Sequence, residues 1–240
     1  MIVEVCANSL ESALNAQIAG ANRIELCAEL GVGGITPSYG LLKTIREQVR
    51  IPVHVLIRPR SGDFTYSDID FDIMKRNIAL CAELGFDGIV SGVLSRDFRL
   101  DVKRTEQLIK ASGTLKFTFH RAFDWIRDPF ETLERLENLG IDYILTSGQQ
   151  KSALEGIDLL SRLKEKTNKT VIMPGAGINA ENVHQFKERG FNAVHLSGSR
   201  FEQGLEELPK IPMSSPSFLR DDKIPVSNVG VIKAVVDKVK

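Results

Sequence analysis

Cysteine, net charge and long apolar runs are all scarce in this sequence. The 240 residues include 3 cysteines, a low and odd number that suits a reducing compartment better than a disulfide framework. Lysine plus arginine equals aspartate plus glutamate, 31 of each, so no overall charge attracts a polyanion. No apolar run approaches the roughly 20 residues of a membrane span, and no charged leader opens the chain. We therefore expect a cytoplasmic protein that binds neither nucleic acid nor membrane.

The short motifs of several enzyme classes are also missing. No glycine-rich dinucleotide fingerprint follows the first strand-like run, and neither a nucleophile elbow nor a strand-end lysine suited to a Schiff base is present. The metal-binding spacings CxxC and HxxxH are absent as well. These absences count against a doubly wound nucleotide-binding fold and against a site built on one short motif.

Short β-branched runs alternate with longer amphipathic stretches through most of the chain, which is typical of βα units around a parallel sheet. Eight such units predict a TIM (β/α)8 barrel, whose usual length is about 250 residues. A doubly wound open sheet is the alternative. We assign residues 1–200 to one barrel domain. The predicted strands lie near residues 2–6, 24–28, 53–58, 88–92, 115–120, 142–146, 170–174 and 193–197.

The composition changes after Arg200. The stretch "ELPKIPMSSPSFLRDDKIPVS" contains four prolines and has no helical period, which indicates an extension that wraps over the surface. The final "VGVIKAVVDKVK" predicts a last strand or helix. We therefore expect residues 201–240 to pack on the barrel or on a neighbouring subunit.

The inward faces of the predicted strands are polar. Side chains alternate across a strand, and the outer face of a barrel strand is covered by helices, so the apolar set belongs outside and the mixed set inside. TIM barrels place their sites at the carboxyl ends of the strands. The side chains predicted to converge there are Glu4, Cys6, Glu25, Cys27, Arg58, His120, His195 and Ser197.

Burying so many ionisable groups costs several kcal/mol apiece unless they pair or meet a ligand. We interpret the cluster as a functional site. The alternative is a self-satisfied network in which Glu4 and Glu25 neutralise Arg58 and a histidine.

Cys6 and Cys27 are one βα unit apart and fall on neighbouring strands about 4.8 Å apart. Two close thiolates suit Cu(I), or half of a zinc site if His120 or His195 joins them. The alternative is that both thiols are small buried hydrophobes, which spacing alone favours.

Glycine-containing turns follow the last three predicted strands. "LTSGQQKS" includes Ser147, "MPGAGI" includes Gly175 and Gly177, and "SGSR" includes Ser197 and Gly198. Barrels of this kind often bind phosphate on backbone N–H groups at such turns. Equally, a tight βα turn needs glycine for its backbone alone.

The stretch "TFHRAFDW" carries the densest group of chemically active residues. His120 is a candidate general acid or base. Asp124 is a candidate to orient a histidine or to anchor the loop to Arg58 or Arg60. The alternatives are a satisfied core histidine and a turn aspartate.

These residues lie in motifs that resemble the CutC family of copper homeostasis proteins. The resemblance runs through "VEVCANS", "GANRIELCAEL", "GGITPS", "PVHVLIRPRSGDFTYS", "FTFHRAFD", "ILTSGQ" and "PGAGI", in this order, over about the first 200 residues. It implies a TIM barrel, a cytoplasmic location, a homodimer or larger homo-oligomer, and Cu(I) bound by Cys6 and Cys27. The positions that match the family's pocket are Glu4, Glu25, Arg58, Arg60, Asp63, His120, Arg121 and Asp124.

Two functional hypotheses follow. In the first, the protein binds Cu(I) through the two cysteines and acts in copper homeostasis. In the second, it is an enzyme that uses Glu4, Glu25 or His120 to move protons on a small anionic metabolite, phosphorylated ones included. Arg58, Arg60 and the glycine turns would then hold the anion.

Overall fold

The structure is a computed structural model that describes residues 1–211, 213–214 and 221–240. Its centre is a sheet of eight parallel strands, which confirms the predicted TIM (β/α)8 barrel. Every predicted strand is present within a few residues of its expected bounds. The strands are β1 Ile2–Ala7, β2 Arg23–Leu26, β3 Val53–Leu56, β4 Gly88–Ser91, β5 Lys116–Phe119, β6 Tyr143–Thr146, β7 Val171–Pro174 and β8 Ala193–Leu196.

Helices follow the strands and surround them. Their starts have local causes: the Ser9 side chain accepts from the N–H of Ser12, Ser67 and Asp70 form a capping box, and Pro129 occupies the first turn of its helix. The helices are α1 Leu10–Ile18, α2 Tyr39–Gln48, α3 Asp68–Glu83, α4 Val102–Ser112, α5 Pro129–Asn138, α6 Ile157–Lys166, α7 Val183–Glu188 and α8 Val229–Val239.

The strand register determines which side chains meet inside the barrel. The ladders run in the order β7-β6-β5-β4-β3-β2-β1-β8, and β7 contacts β8 across the remaining seam. Glu4 on β1 lies level with Arg23 on one side and His195 on the other. Cys6 lies level with Glu25. Acidic, basic and thiol groups from three adjacent strands therefore share one interior.

The main hydrophobic core lies between the sheet and the helices, as the alternation predicts. Val3, Val5, Ile24 and Leu26 are completely buried in it. A small separate cluster of Cys6, Cys27, Leu56 and Val90 lies inside the barrel. Because helices cover the outer face, the interior is left for the polar set.

The C-terminal residues form an antiparallel hairpin and a helix. Strands β9 Ser199–Gln203 and β10 Lys223–Ser227 pair with each other, and the terminal stretch is the helix α8. The sequence did not predict the hairpin, because Pro225 within β10 argues against a strand. Part of the predicted extension, residues 212 and 215–220, lies outside the described residues.

Helix α8 takes the place of the eighth outer helix. It packs between α7 and α1, and Ile232, Val235 and Val236 belong to the main core. The predicted domain boundary after residue 200 stays a prediction. Among the helices of the described residues, none has the length and apolar character that crossing a bilayer requires.

Candidate functional site

A cavity of about 570 Å³ lies at the carboxyl ends of the strands. Its size is within the range of roughly 300–1,000 Å³ that is usual for small-molecule sites. Five of the side chains that the sequence predicted to converge line it together: Cys6, Glu25, Arg58, His120 and His195. The rest of its wall consists of Val32, Gly33, Leu56, Ser61, Gly62, Phe64, Arg121, Trp125 and Leu145.

Cys6, which lines this cavity, forms a close thiol pair with Cys27, which is not among the lining residues that the structure describes. Their sulfur atoms are 3.4 Å apart, Cys27 is fully buried, and Cys6 is 8% exposed. The hydrogen bond with Cys27 and burial raise the pKa of Cys6 well above its usual value. The thiol of Cys6 is therefore protonated at neutral pH. Cys81 is remote from the pair, in the main core on α3, where burial raises its pKa to about 12.

Glu25 and His195 lie next to Cys6 and extend the donor set. Ligand atoms of Cys6, Glu25 and His195 all lie within 4.8 Å of one another, so the three could hold one metal ion. Burial raises the pKa of Glu25. Burial alone would lower the pKa of His195, but the nearby Glu25, Cys6 and Glu4 raise it well above the usual value. The group offers sulfur, oxygen and nitrogen donors side by side.

Glu4 lies below this group, fully buried, with two basic partners. Arg23 Nε is 2.5 Å from Glu4 Oε2, and His195 Nδ1 is 2.8 Å from Glu4 Oε1. Burial alone would raise the pKa of Glu4, but Arg23 and His195 lower it to about 2. Glu4 therefore stays ionised and orients the imidazole. The pairing with Arg58 that we considered from the sequence is replaced by one with Arg23.

Sequence reasoning missed Arg23. Its guanidinium lies 4.1 Å from the centroid of the Tyr143 ring and completes the polar floor of the barrel. The predicted strand began one residue too late, at residue 24. Arg23 has the same parity as Glu25, so one further step of the alternation would have placed it inside.

Arg58 is held by main-chain carbonyl groups. Its guanidinium nitrogens donate to the carbonyl oxygens of Val32, Gly34 and Gly62 at 2.9, 2.7 and 2.8 Å. Within residues 1–211, 213–214 and 221–240, no carboxylate forms an ion pair with it. The carbonyl groups accept from the two terminal nitrogens, while the buried Nε has no hydrogen-bond partner among the described residues. Carbonyl groups carry no net charge, so Arg58 contributes an uncompensated positive charge to the cavity wall.

His120 is buried against the side of the cavity. Its Nδ1 accepts the N–H of Ala122 at 3.2 Å, and its ring packs on Phe64 with centroids 4.8 Å apart. Burial and the charge of Arg58 lower its pKa to about 3, so the ring is neutral at pH 7. Nε2 is buried and has no hydrogen-bond partner among the described residues.

Asp124 and Ser147 lie behind the cavity wall and fasten two loops together. Asp124 accepts from the N–H and the hydroxyl of Ser147 at 2.9 and 3.0 Å, and it forms an ion pair with Arg121 at 2.8 Å. Of these three residues, Arg121 is the one that lines the cavity. Asp124 thus anchors the loop, as one sequence alternative proposed, although its partner is Arg121.

The glycine turns and Arg60 are not among the lining residues that the structure describes. A Cβ at Gly175 would lie 2.5 Å from Leu145, and one at Gly198 would lie 2.5 Å from Ile232 on α8. Close packing therefore explains both glycines. Gly177 has φ +75° and accepts from Asn182. Ser197 lines a different cavity beside the hairpin, and Arg60 pairs with Asp63 and Asp70.

Comparisons with known proteins identify the family and agree with the fold. The sequence model of the CutC family matches residues 1–200. The structure of a protein from Streptococcus agalactiae that is named CutC, for copper homeostasis, superposes with a TM-score of 0.78 at 35% identity, over 82% of this chain and 98% of that one. The chain therefore belongs to the CutC family.

More distant structures share the barrel alone. Thiamine phosphate pyrophosphorylase from Pyrococcus furiosus matches with a TM-score of 0.61 at 14% identity, over 99% of this chain and 95% of that one. For 3-hexulose-6-phosphate synthase from Salmonella typhimurium the TM-score is 0.59 at 17% identity, over 100% and 98% of the two chains. At such identities the likeness concerns the fold.

Proposed function

We propose that this member of the CutC family binds Cu(I) through Cys6 and Cys27 and acts in copper homeostasis in the cytoplasm. The observation that carries the proposal is the 3.4 Å separation of the two sulfurs beside an open cavity. A metal–sulfur bond of about 2.3 Å, as in zinc sites, is longer than half of that separation. Both sulfurs can therefore contact a single ion.

The choice of copper rests on the donor chemistry and on the relative. Thiolates are soft ligands that select Cu(I), and imidazole is a suitable third ligand. His195 is placed for that role because Glu4 binds its Nδ1, which leaves Nε2 as the ligand atom. The relative at 35% identity is named for copper homeostasis. Binding would release the thiol protons and also the Nε2 proton of His195, whose raised pKa keeps the free imidazole protonated, so affinity depends on pH.

Anaerobic titration with Cu(I) against a chromogenic chelator tests the proposal. We expect one tightly bound ion per chain, lost in Cys6→Ala and in Cys27→Ala. Cys81→Ala is the matched control, because it removes a buried thiol far from the site and should leave the stoichiometry unchanged. Unaltered Cu(I) binding in both site variants would show that the two thiols are not the copper ligands. A preference for Zn²⁺ over Cu(I) would contradict the assignment of copper to this site.

A second candidate function is catalysis on a small anionic metabolite. It is supported by the uncompensated charge of Arg58 and the unpartnered Nε2 of His120, both in the wall of the cavity. Incubating the purified protein with a metabolite extract and following mass changes tests it. Depletion of one anion by the native protein, absent with Arg58→Met, supports catalysis. No change in any metabolite would exclude it for that extract.

The family resemblance also leads us to propose a homodimer or larger homo-oligomer. Light scattering coupled to gel filtration measures its mass directly. A mass equal to one chain of 26.6 kDa would contradict the proposal.

A further inference from the structure

We propose that the cavity at the barrel mouth binds a small monocarboxylate, whose oxygen accepts a hydrogen bond from His120 Nε2–H beside the Arg58 guanidinium. This inference rests on the second candidate function and names its ligand class. It gives His120 the part of a fixed donor rather than that of the proton-transfer group considered from the sequence.

The hydrogen bond to Ala122 sets the tautomer of His120. A backbone N–H can only donate, so the Nδ1 that receives it carries no proton. The proton of the neutral ring must then be on Nε2. Burial, with the charge of Arg58, lowers the pKa of this ring to about 3, which keeps it neutral across the physiological range. His120 therefore presents one N–H donor whose direction does not change.

That donor has no partner in the part of the chain that the structure describes. His120 is 5% exposed, its Nε2 is buried, and the residue lines the cavity. Buried donors are nearly always paired, because an unpaired one loses its hydration without compensation. A ligand with an acceptor atom in the cavity would supply the missing partner.

The ring is also held in place by its surroundings. A Cβ at Gly92 would lie 2.7 Å from Cε1 of the imidazole, and Phe64 packs on the ring. The backbone at Gly92 therefore approaches the ring too closely for any other residue without a shift. Such a preorganised donor costs little further ordering when a ligand binds.

Charge decides the class of acceptor. Arg58 has no acid partner among the described residues, whereas Arg121, the other arginine of the wall, is paired with Asp124. One uncompensated positive charge matches one carboxylate better than a phosphate dianion. The glycine turns that would cradle a phosphate do not contribute to the wall, since Gly198 lies under α8.

The remaining wall suits an apolar body. Phe64 and Trp125 meet edge to face with ring centroids 4.9 Å apart, and Leu56 and Leu145 also line the cavity. Trp125 is 45% exposed, so its ring is accessible from the mouth. A planar or aliphatic group attached to the carboxylate would cover these surfaces.

Calorimetric titration of the metal-free protein with acetate, pyruvate, benzoate and inorganic phosphate tests the inference. Two variants of His120 separate its two hydrogen bonds. His120→Asn keeps an acceptor near the N–H of Ala122 but loses the donor at the tip, and His120→Gln keeps a donor near the position of Nε2. We expect pyruvate or benzoate to bind the native protein and the Gln variant, and to bind the Asn variant about tenfold to a hundredfold more weakly.

Nuclear magnetic resonance measures the chemical shift of the His120 Nε2–H proton, which would not respond to added carboxylate if His120 had only a structural role. The Nε2–H proton of His120 should be observable and should shift when the carboxylate binds. The inference is overturned if none of the carboxylates binds, if His120→Asn binds them as well as the native protein does, or if phosphate binds more tightly than all of them. Cu(I) titration of His120→Asn distinguishes this inference from the copper-binding proposal. Copper binding should be retained in this variant whether or not it binds a carboxylate.

Discussion

The sulfurs of Cys6 and Cys27 lie 3.4 Å apart although the strand register places Glu25, not Cys27, level with Cys6. Cys27 is two residues further along the chain, so it has the same parity as Glu25 and also faces the interior. The thiols meet diagonally across the strand pair. Glu25 therefore lies beside Cys6, and the site combines soft sulfur donors with a hard carboxylate oxygen.

Gly92→Ala should displace the His120 ring. The new Cβ would lie 2.7 Å from Cε1 and 2.7 Å from Nδ1 of His120. The φ of Gly92 is not positive, so the backbone itself accepts alanine. We expect carboxylate affinity to fall by about tenfold or more, with Cu(I) stoichiometry unchanged. Gly40→Ala is the control, because nothing lies within 4 Å of its Cβ. Equal affinities in the two variants would contradict the prediction.

Arg23→Met should destabilise the fold strongly. It removes the closest cation from Glu4, which is fully buried, and such losses cost about 3–5 kcal/mol. Urea denaturation at pH 7 measures the free energy of unfolding. Adding Glu4→Gln should recover part of the loss, since the neutral amide needs no counter-charge. Lys116→Met is the control: its ion pair with Asp142 is exposed and should cost no more than about 1 kcal/mol.

Glu137→Gln should lower stability at neutral pH but not in strong acid. The Glu137 carboxylate accepts from the hydroxyl of Thr167 and from the N–H groups of residues 168–170. Burial would raise its pKa, but these hydrogen bonds lower it to about 2. The folded-state pKa is below the unfolded value, so the stabilisation is present above the usual carboxyl pKa and is lost as the pH falls to about 2.

Thermal midpoints of Glu137→Gln and the native protein should therefore differ most at pH 7 and converge as the pH falls from about 4.5 to 2. At pH 7 the free energy of unfolding of the variant should be lower than that of the native protein by about 1–3 kcal/mol. Glu134→Gln, exposed on the same helix, is the matched control and should follow the native curve. A difference that persisted undiminished at pH 2 would show that the charge of Glu137 is not the cause.

Ile232→Ala should show that α8 belongs to the barrel core. Ile232 is completely buried, and removing its methyl groups leaves a cavity that costs about 2–5 kcal/mol. Lys233→Ala, on the exposed side of the same helix, should change the free energy of unfolding by less than about 0.5 kcal/mol. A chain that ends at residue 200 lacks α8 entirely and should be less stable than Ile232→Ala. If it is as stable as the full chain, the eighth helix is dispensable.

Most of the barrel could be predicted because its signals are local. Each strand is a short β-branched run, and the alternation along it depends only on neighbouring residues. The same alternation correctly placed Glu4, Cys6, Glu25 and Cys27 inside. The chain order of the strands is also their spatial order around the barrel, so the proximity of the two thiols followed from the sequence as well.

The partners of those side chains were decided by tertiary structure. Glu4 pairs with Arg23 rather than Arg58, because the strand register brings Glu4 and Arg23 level, whereas loop carbonyls accept from the terminal nitrogens of Arg58. The cavity excludes Gly198 because Ile232 on α8, a helix distant along the chain, packs over it. The tautomer of His120 depends on an N–H two residues away in a turn that sequence does not specify. The face of a strand on which a side chain lies is determined by the local sequence alone. Its ion-pair partner and its exposure to the cavity depend on which segments, distant along the chain, pack beside it.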